Sequence, residues 1–280
     1  MAAAAETDAG TSLAGKVARL RERLTGSRQT AFAVVQVSEE QEALQRVAAL
    51  QGTTDGIFLV NHGIGHQRLL RICERVVHAH PTVPVGVACL DLRPQDVFCR
   101  LPAGVAAVWA PQIVPWPPEP EALAAVDSAR REAGWPGLYF CGIPPVACRG
   151  PRPALQAPLQ AAIEHVDVVT LGDLAAQQPP KLRLVRRARQ TVGRRPLVIV
   201  GCFTSETAAP LLAYVDGVMA VAGSASGAAI LPGARGPDAP PAEECAEGLR
   251  AAARGAPGPG RKSPACSATA FSAERTHAYG

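Results

Sequence analysis

Eight short apolar runs divide the middle of this 280-residue chain at nearly even intervals, and that spacing constrains its fold more than any single motif does. The runs are 31–37, 55–61, 84–90, 106–112, 137–143, 166–172, 196–202 and 216–223. Seven steps separate the first start from the last, about 26 residues each, which is room for one strand, one turn and one helix. Each run is rich in Val and Ile and continuously apolar, as parallel strands covered on both faces must be. Between the runs lie helical patterns. Residues 41–50 place Ala43, Leu44, Val47, Ala48 and Leu50 at helical spacing, and 69–77 repeat the arrangement with Leu69, Leu70, Cys73, Val76 and Val77. Residues 120–131 open with Pro120 in the first turn, and 180–192 and 205–214 complete the set.

Strand alternating with helix eight times predicts an α/β protein, a single (β/α)8 TIM-like barrel over 31–225. A doubly wound open sheet is the competing architecture. It is disfavoured because no GxGxxG turn follows the first run and because eight strands close naturally. Residues 1–30 form an N-terminal extension in which 16–25 reads as an amphipathic helix capping the barrel bottom. Residues 226–280 form a Pro/Gly/Ala-rich tail, expected to be mostly disordered, with 242–254 its one helical candidate.

Composition limits the alternatives. Hydrophobic residues reach 48% with only 4% aromatics, so the core is built from many small Ala and Val contacts. No Gly period suggests collagen, and no window approaches eighteen uninterrupted apolar residues, so no membrane span is expected. A net charge of +4 is too mild to imply nucleic acid. The eight cysteines contain no CxxC pair and several lie in or beside apolar runs, so they read as reduced core residues. The first thirty residues carry Lys16, Arg19, Arg21, Arg23 and Arg28 but no apolar stretch of the secretory kind. A cytoplasmic location is expected; organelle import is left open, although Glu6, Asp8 and Glu22 count against it.

In such a barrel, chemistry gathers at the C-terminal ends of the strands. The runs deliver Gln36, then Asn61 and His62, then Asp91, Gln112, Thr170 and Gly172, Gly201 and Thr204, and finally Gly223 and Ser224. His62 is the acid/base candidate, because an imidazole titrates near neutrality, and Asp91 would orient it or act as the base. The bland alternative makes both residues caps of the local loop and helix. His62 and His66 are four apart on a Gly-containing segment, a weak metal pattern, and neither a metal nor a cofactor is expected. The segment 201–206 has the grammar of an anion site, with Gly for close approach and Thr204 and Ser205 ahead of a helix. Residues 223–227 would supply its second half. Asn61, Gln112, Thr170, Gly172, Gly201, Thr204, Gly223 and Ser224 are therefore the candidate contacts to a small, phosphorylated ligand. Lys181–Arg195 carries seven basic residues and no acid, and reads as a solvated helix face, since no aromatics interleave for base stacking.

The segments 55–62, 134–142, 167–170 and 196–206, followed by Val215-Asp216-Gly217, resemble the BtpA-like barrels, relatives of the ribulose-phosphate-binding superfamily. The similarity covers roughly 31–223. It implies a (β/α)8 fold, a phosphate-leaning site at the strand ends, and roles there for Asn61, His62, Thr170, Gly201 and Thr204. The family's named branch is linked to photosystem I biogenesis. This sequence departs from the family where a Gly-rich loop should follow the sixth strand. It has Leu171-Gly172-Asp173-Leu174-Ala175-Ala176-Gln177 instead, and a carboxylate there repels an anion. Two readings follow: a phosphate-metabolite barrel, enzyme or former enzyme, and a catalytically inactive barrel serving as a scaffold or assembly factor. A homo-oligomer is left open by both.

Overall fold

A computed structural model describes residues 11–111, 119–143, 160, 161, 163–172, 179–203 and 205–221. The expected tail, the first ten residues and the site candidates Gln112, Thr204, Gly223 and Ser224 lie outside this set. The chain opens with helix α1 (Leu13–Thr25), whose N-cap Ser12 accepts a hydrogen bond from the Gly15 amide. The strands follow as β1 (Thr30–Val37), β2 (Gly56–Asn61), β3 (Val85–Ala88), β4 (Ala107–Ala110), β5 (Leu138–Ile143), β6 (Val168–Gly172), β7 (Leu197–Gly201) and β8 (Gly217–Val221). Each pairs in parallel with the next and β8 pairs with β1, so the sheet closes on itself in chain order. The helices after β1, β2, β3 and β4 are α2 (Glu40–Leu50), α3 (His66–Ala79), α4 (Pro94–Val97) and α5 (Pro120–Glu132). Helix α6 (Leu182–Val192) follows β6 and α7 (Ser205–Leu212) follows β7. The eight-stranded (β/α) barrel is thus the fold of this chain.

Strand alternation sorts the core into two. Ala31, Ala33, Val35 and Val37 of β1 face outward against the helices, together with Ile57, Leu59, Val85, Val87, Val169 and Leu171. Phe32 and Val34 face inward with Phe58, Val60, Trp109, Phe140, Val168, Val200 and Met219. With so few aromatics in the chain, four of them meet inside the barrel. Phe58 makes edge contacts with Phe32, Trp109 and Phe140 at centroid distances of 5.7, 5.9 and 5.0 Å. Such ring pairs add about 0.5–1.5 kcal/mol each beyond their buried area. Glycine makes room for them: a Cβ at Gly86 would lie 2.5 Å from the Phe58 ring.

The predicted bottom helix is present and starts three residues earlier, at Leu13. Its Val17, Leu20 and Leu24 join the interior core and close the barrel at the N-terminal ends of the strands. Polar ties hold it there. Lys16, 2% exposed, donates to the Gly104 carbonyl at 3.3 Å, and Arg23 pairs with Asp55. Burial is the first cause that lowers the Lys16 pKa, with Arg19 adding to it.

A second device recurs at the same end. Asp55, Asp167 and Asp216 stand just ahead of β2, β6 and β8. Each carboxylate accepts the amide of Ala31, Tyr139 or Leu197 on the preceding strand, at 2.8 Å in every case. Each also holds an arginine: Arg23, Arg130 and Arg189 respectively. Arg189 additionally donates to the carbonyls of Tyr214, Gly193 and Arg195, and Arg195 donates to that of Val166. Two members of the basic run Lys181–Arg195 are therefore framework residues rather than solvated charges.

Candidate site at the barrel mouth

The C-terminal ends of the strands bring some predicted residues together and separate others. Gln36 is the first inward position of β1 beyond the apolar layers, level with Val60 of β2. It is 5% exposed, and among the described residues nothing donates to its side-chain carbonyl Oε1. Leaving a buried acceptor unpaired costs about 1–3 kcal/mol. His62 is the next inward position along the neighbouring strand, two residues past Val60. Its amide extends the sheet by donating to the Val37 carbonyl at 3.1 Å, and the half-buried ring makes no hydrogen bond or ion pair among the described residues. Thr170 of β6 is also inward and buried, and its hydroxyl accepts the Trp109 indole N–H at 3.1 Å across the barrel interior. Trp109 is a packing residue of the barrel interior.

Asp91 caps a helix, as the bland alternative had it, although the helix is α3 rather than the one after β3, and Asn61 is tied to the same carboxylate. Asn61 points outward and is buried; its Nδ2 donates to the Ile64 carbonyl at 3.1 Å and to Asp91 at 2.9 Å. Its Oδ1 accepts the Leu90 amide at 2.7 Å. The carboxylate of Asp91 accepts the His66 amide at 3.0 Å and meets the His66 ring at 2.9 Å. Asp91 therefore partners His66, the first residue of α3, rather than His62. The N-cap of α3 is Gly65, which has no side chain to offer, so the cap comes from the next loop. Burial acts to raise the Asp91 pKa, but the hydrogen bonds from His66 outweigh it and hold the carboxyl below its ordinary value. An ionised, doubly bonded carboxylate is a poor general base. Among the described residues no cluster of His, Cys, Asp and Glu could hold a metal.

Two of the three glycines among the candidate contacts, Gly172 and Gly201, end their strands. Gly172 has φ of +140°, and a Cβ there would lie 2.1 Å from the Val200 carbonyl oxygen. Only glycine allows β6 and β7 to approach at that point. Gly201 is the buried last residue of β7, paired with Ala220 of β8.

No family model matches this chain, and no curated protein does. Solved structures do match. The chain is similar to the tryptophan synthase α chain of Legionella pneumophila subsp. pneumophila, at 15% identity and a TM-score of 0.60 over 85% of this chain and 97% of that one. It is similar to a mutant tryptophan synthase α-subunit from Pyrococcus furiosus, at 16% identity and 0.58 over 80% and 98%. It is also similar to 2,3-dimethylmalate lyase, a member of the PEP mutase/isocitrate lyase superfamily, at 16% and 0.53 over 73% and 80%. At such identities the likeness is one of fold, a divergent TIM barrel. No helix among the described residues is long and apolar enough to cross a membrane.

Proposed function

We propose that this barrel binds a small, phosphorylated metabolite at its C-terminal mouth. The observation that carries the reading is the buried Oε1 of Gln36, which has no donor among the described residues, a cost that a hydroxyl donor on a ligand would relieve. His62 stands one inward position further out and is the residue suited to proton transfer. The phosphate would lie at the ends of the later strands, against Gly172, Gly201, Thr204, Gly223 and Ser224, in keeping with the resemblance to the BtpA-like and ribulose-phosphate-binding barrels.

Thermal unfolding of the full chain against sugar phosphates, nucleotides and inorganic phosphate tests this. A ligand at a hundred times its Kd adds about 2.7 kcal/mol, and each kcal/mol is worth roughly 2–4 °C in a barrel of this size. One compound should raise the melting temperature by several degrees. Gln36→Leu should raise the ligand-free melting temperature, since it removes an orphaned acceptor, and abolish the ligand shift. His62→Ala should weaken the shift and leave ligand-free stability unchanged. A Gln36→Leu protein that keeps the full shift would overturn the assignment.

One observation favours the second reading, a barrel without catalysis that serves as a scaffold: the Asp91 carboxylate is committed to His66 and Asn61. On that reading the outward cations of α6, with Arg183, Arg186 and Arg187 around a groove of about 360 Å³, would face the partner. No shift with any compound, from a cooperatively unfolding chain, would make this the better account.

A further inference from the structure

Helix α6 presents a face that the barrel does not use. Val185, Ala188 and Val192 bury one side of it, and the opposite side carries Arg183, Arg186, Arg187 and Gln190 around a surface groove of about 360 Å³. Of the seven cations in 181–195, Arg189 and Arg195 serve the framework, and Arg187 is half-buried with a contact of its own. Lys181, Arg183 and Arg186 are exposed. The side chains of Lys181 and Arg183 make no hydrogen bond or ion pair among the described residues. The Arg186 guanidinium lies 4.9 Å from the centroid of the Tyr214 ring, a contact that brings it no counter-charge.

Placement makes these charges costly. Lys181 is the N-cap and offers no side-chain cap, no acid stands in the first turn, and cations at that end oppose the helix dipole. Arg183 stands three residues from Arg186, so like charges are neighbours on the helix surface. Of the described acids on the flanking segments, Asp167 and Asp216 already hold Arg130 and Arg189. Glu164 and Glu206 are exposed and form no ion pair among the described residues.

A stretch of matching charge lies in the tail, outside the described residues: 236–249 holds Asp238, Glu243, Glu244 and Glu247 and no base. Its start is within reach of α6. Strand β8 ends at Val221, β6 stands two strands away, about 10 Å along the sheet, and α6 begins at the same mouth end of the barrel. Residues 222–235 span up to about 45–50 Å when extended. Tethering also favours this segment over an anion from outside. Exposed ion pairs are individually weak, so a free acidic peptide held by three of them would bind poorly. A segment on a short tether meets the same face at an effective concentration of roughly millimolar.

We infer that the acidic segment 236–249 docks on the outward face of α6, its carboxylates bonded to Lys181, Arg183 and Arg186. Arginine forks match carboxylate oxygens, and charge-assisted bonds are the strong ones. The contact goes beyond both readings of function. It stands whether or not the mouth binds a metabolite, and a partner that uses α6 has first to displace the chain's own tail.

Carbodiimide cross-linking of the full chain, read by peptide mass spectrometry, tests the contact, because the reagent joins an amine only to a carboxylate it touches. Lys181 should link to Glu243, Glu244 or Glu247, and Arg183→Lys should add a second link from α6 to the same segment. The yield should be independent of protein concentration and fall severalfold at about 0.5 M NaCl. Arg183→Glu/Arg186→Glu should lower the Lys181 links at least severalfold. Adding Glu243→Lys/Glu244→Lys to that variant should restore cross-linking with the roles reversed. Should the α6 variant fail to fold, Glu243→Lys/Glu244→Lys alone decides, with loss of the link from Lys181 to Glu247 expected. Links from Lys181 only to Asp173 or Glu206, or none at all, would overturn the contact. So would links found only between two chains in a mixture of isotope-labelled and unlabelled protein, or links undiminished in the charge-reversed variants.

Discussion

Cys73, Cys89 and Cys141 sit buried and unpaired in the core, and burial is the first cause that pushes each thiol up to about 12. A thiolate is the reactive form, so at neutral pH these three are protonated as well as shielded. Cys99 is free and exposed, open to a reagent in solution. Brief treatment of the native protein with iodoacetamide, read peptide by peptide, should label Cys99 well before Cys73, Cys89 or Cys141. Equal rates would mean that the core opens on the timescale of the reaction. The sequence already identified these cysteines as reduced core residues, because each lies within an apolar pattern. Gln36 is the contrary case. It is the one amide within the first apolar run, yet its letter alone does not say whether a donor waits for it in the fold. That no described residue supplies the donor is a fact about the strands around it.

At the scale of elements, the periodic parts were legible and the caps were not. The pattern over 69–77 marks the buried stripe of α3, but the helix begins at His66 because its end is capped by Asp91, twenty-five residues on. No local signature announces a cap supplied by another loop. The same contact explains why pairing Asp91 with His62 was attractive in sequence and absent in space: both follow strand ends, but Asn61 and the α3 amide take the carboxylate first. Helix α4, only four residues with a 3-10 turn after it, is too short to leave a periodic trace. The Asp91 contact also has a pH signature. Its folded pKa is depressed, so its contribution is complete well above the ordinary value of 3.8 and is lost as pH falls through the folded value. Protection of the amides at the start of α3, taken relative to their intrinsic exchange rates, should therefore fall as the pH drops below the ordinary value of 3.8 in the native protein. Asp91→Ala should show that loss of protection already at neutral pH and lower stability by about 0.5–2 kcal/mol, as loss of a helix cap does. Unchanged exchange in the variant would remove Asp91 from this role.

On the scale of the whole molecule, closure was readable from eight runs at one interval, since no other common architecture uses that count and spacing so directly. Closure also needs a floor, and α1 provides it with Leu20, 2% exposed beneath the interior rings. Leu20→Ala should lower stability by about 2–5 kcal/mol, measured by denaturant unfolding, because the cavity opens onto ring faces that cannot collapse into it. A loss below 1 kcal/mol would show that the helix rests loosely on the barrel. The circle that this floor closes is not uniform. Three of its strand pairs, β1–β2, β5–β6 and β7–β8, are riveted by an aspartate and its arginine. The pair β3–β4 lacks that rivet among the described residues and joins two four-residue strands through two register positions, Gly86 with Ala107 and Val87 with Val108. A hoop yields at its thinnest stave. Native-state amide exchange should accordingly show β3 and β4 opening before the riveted pairs.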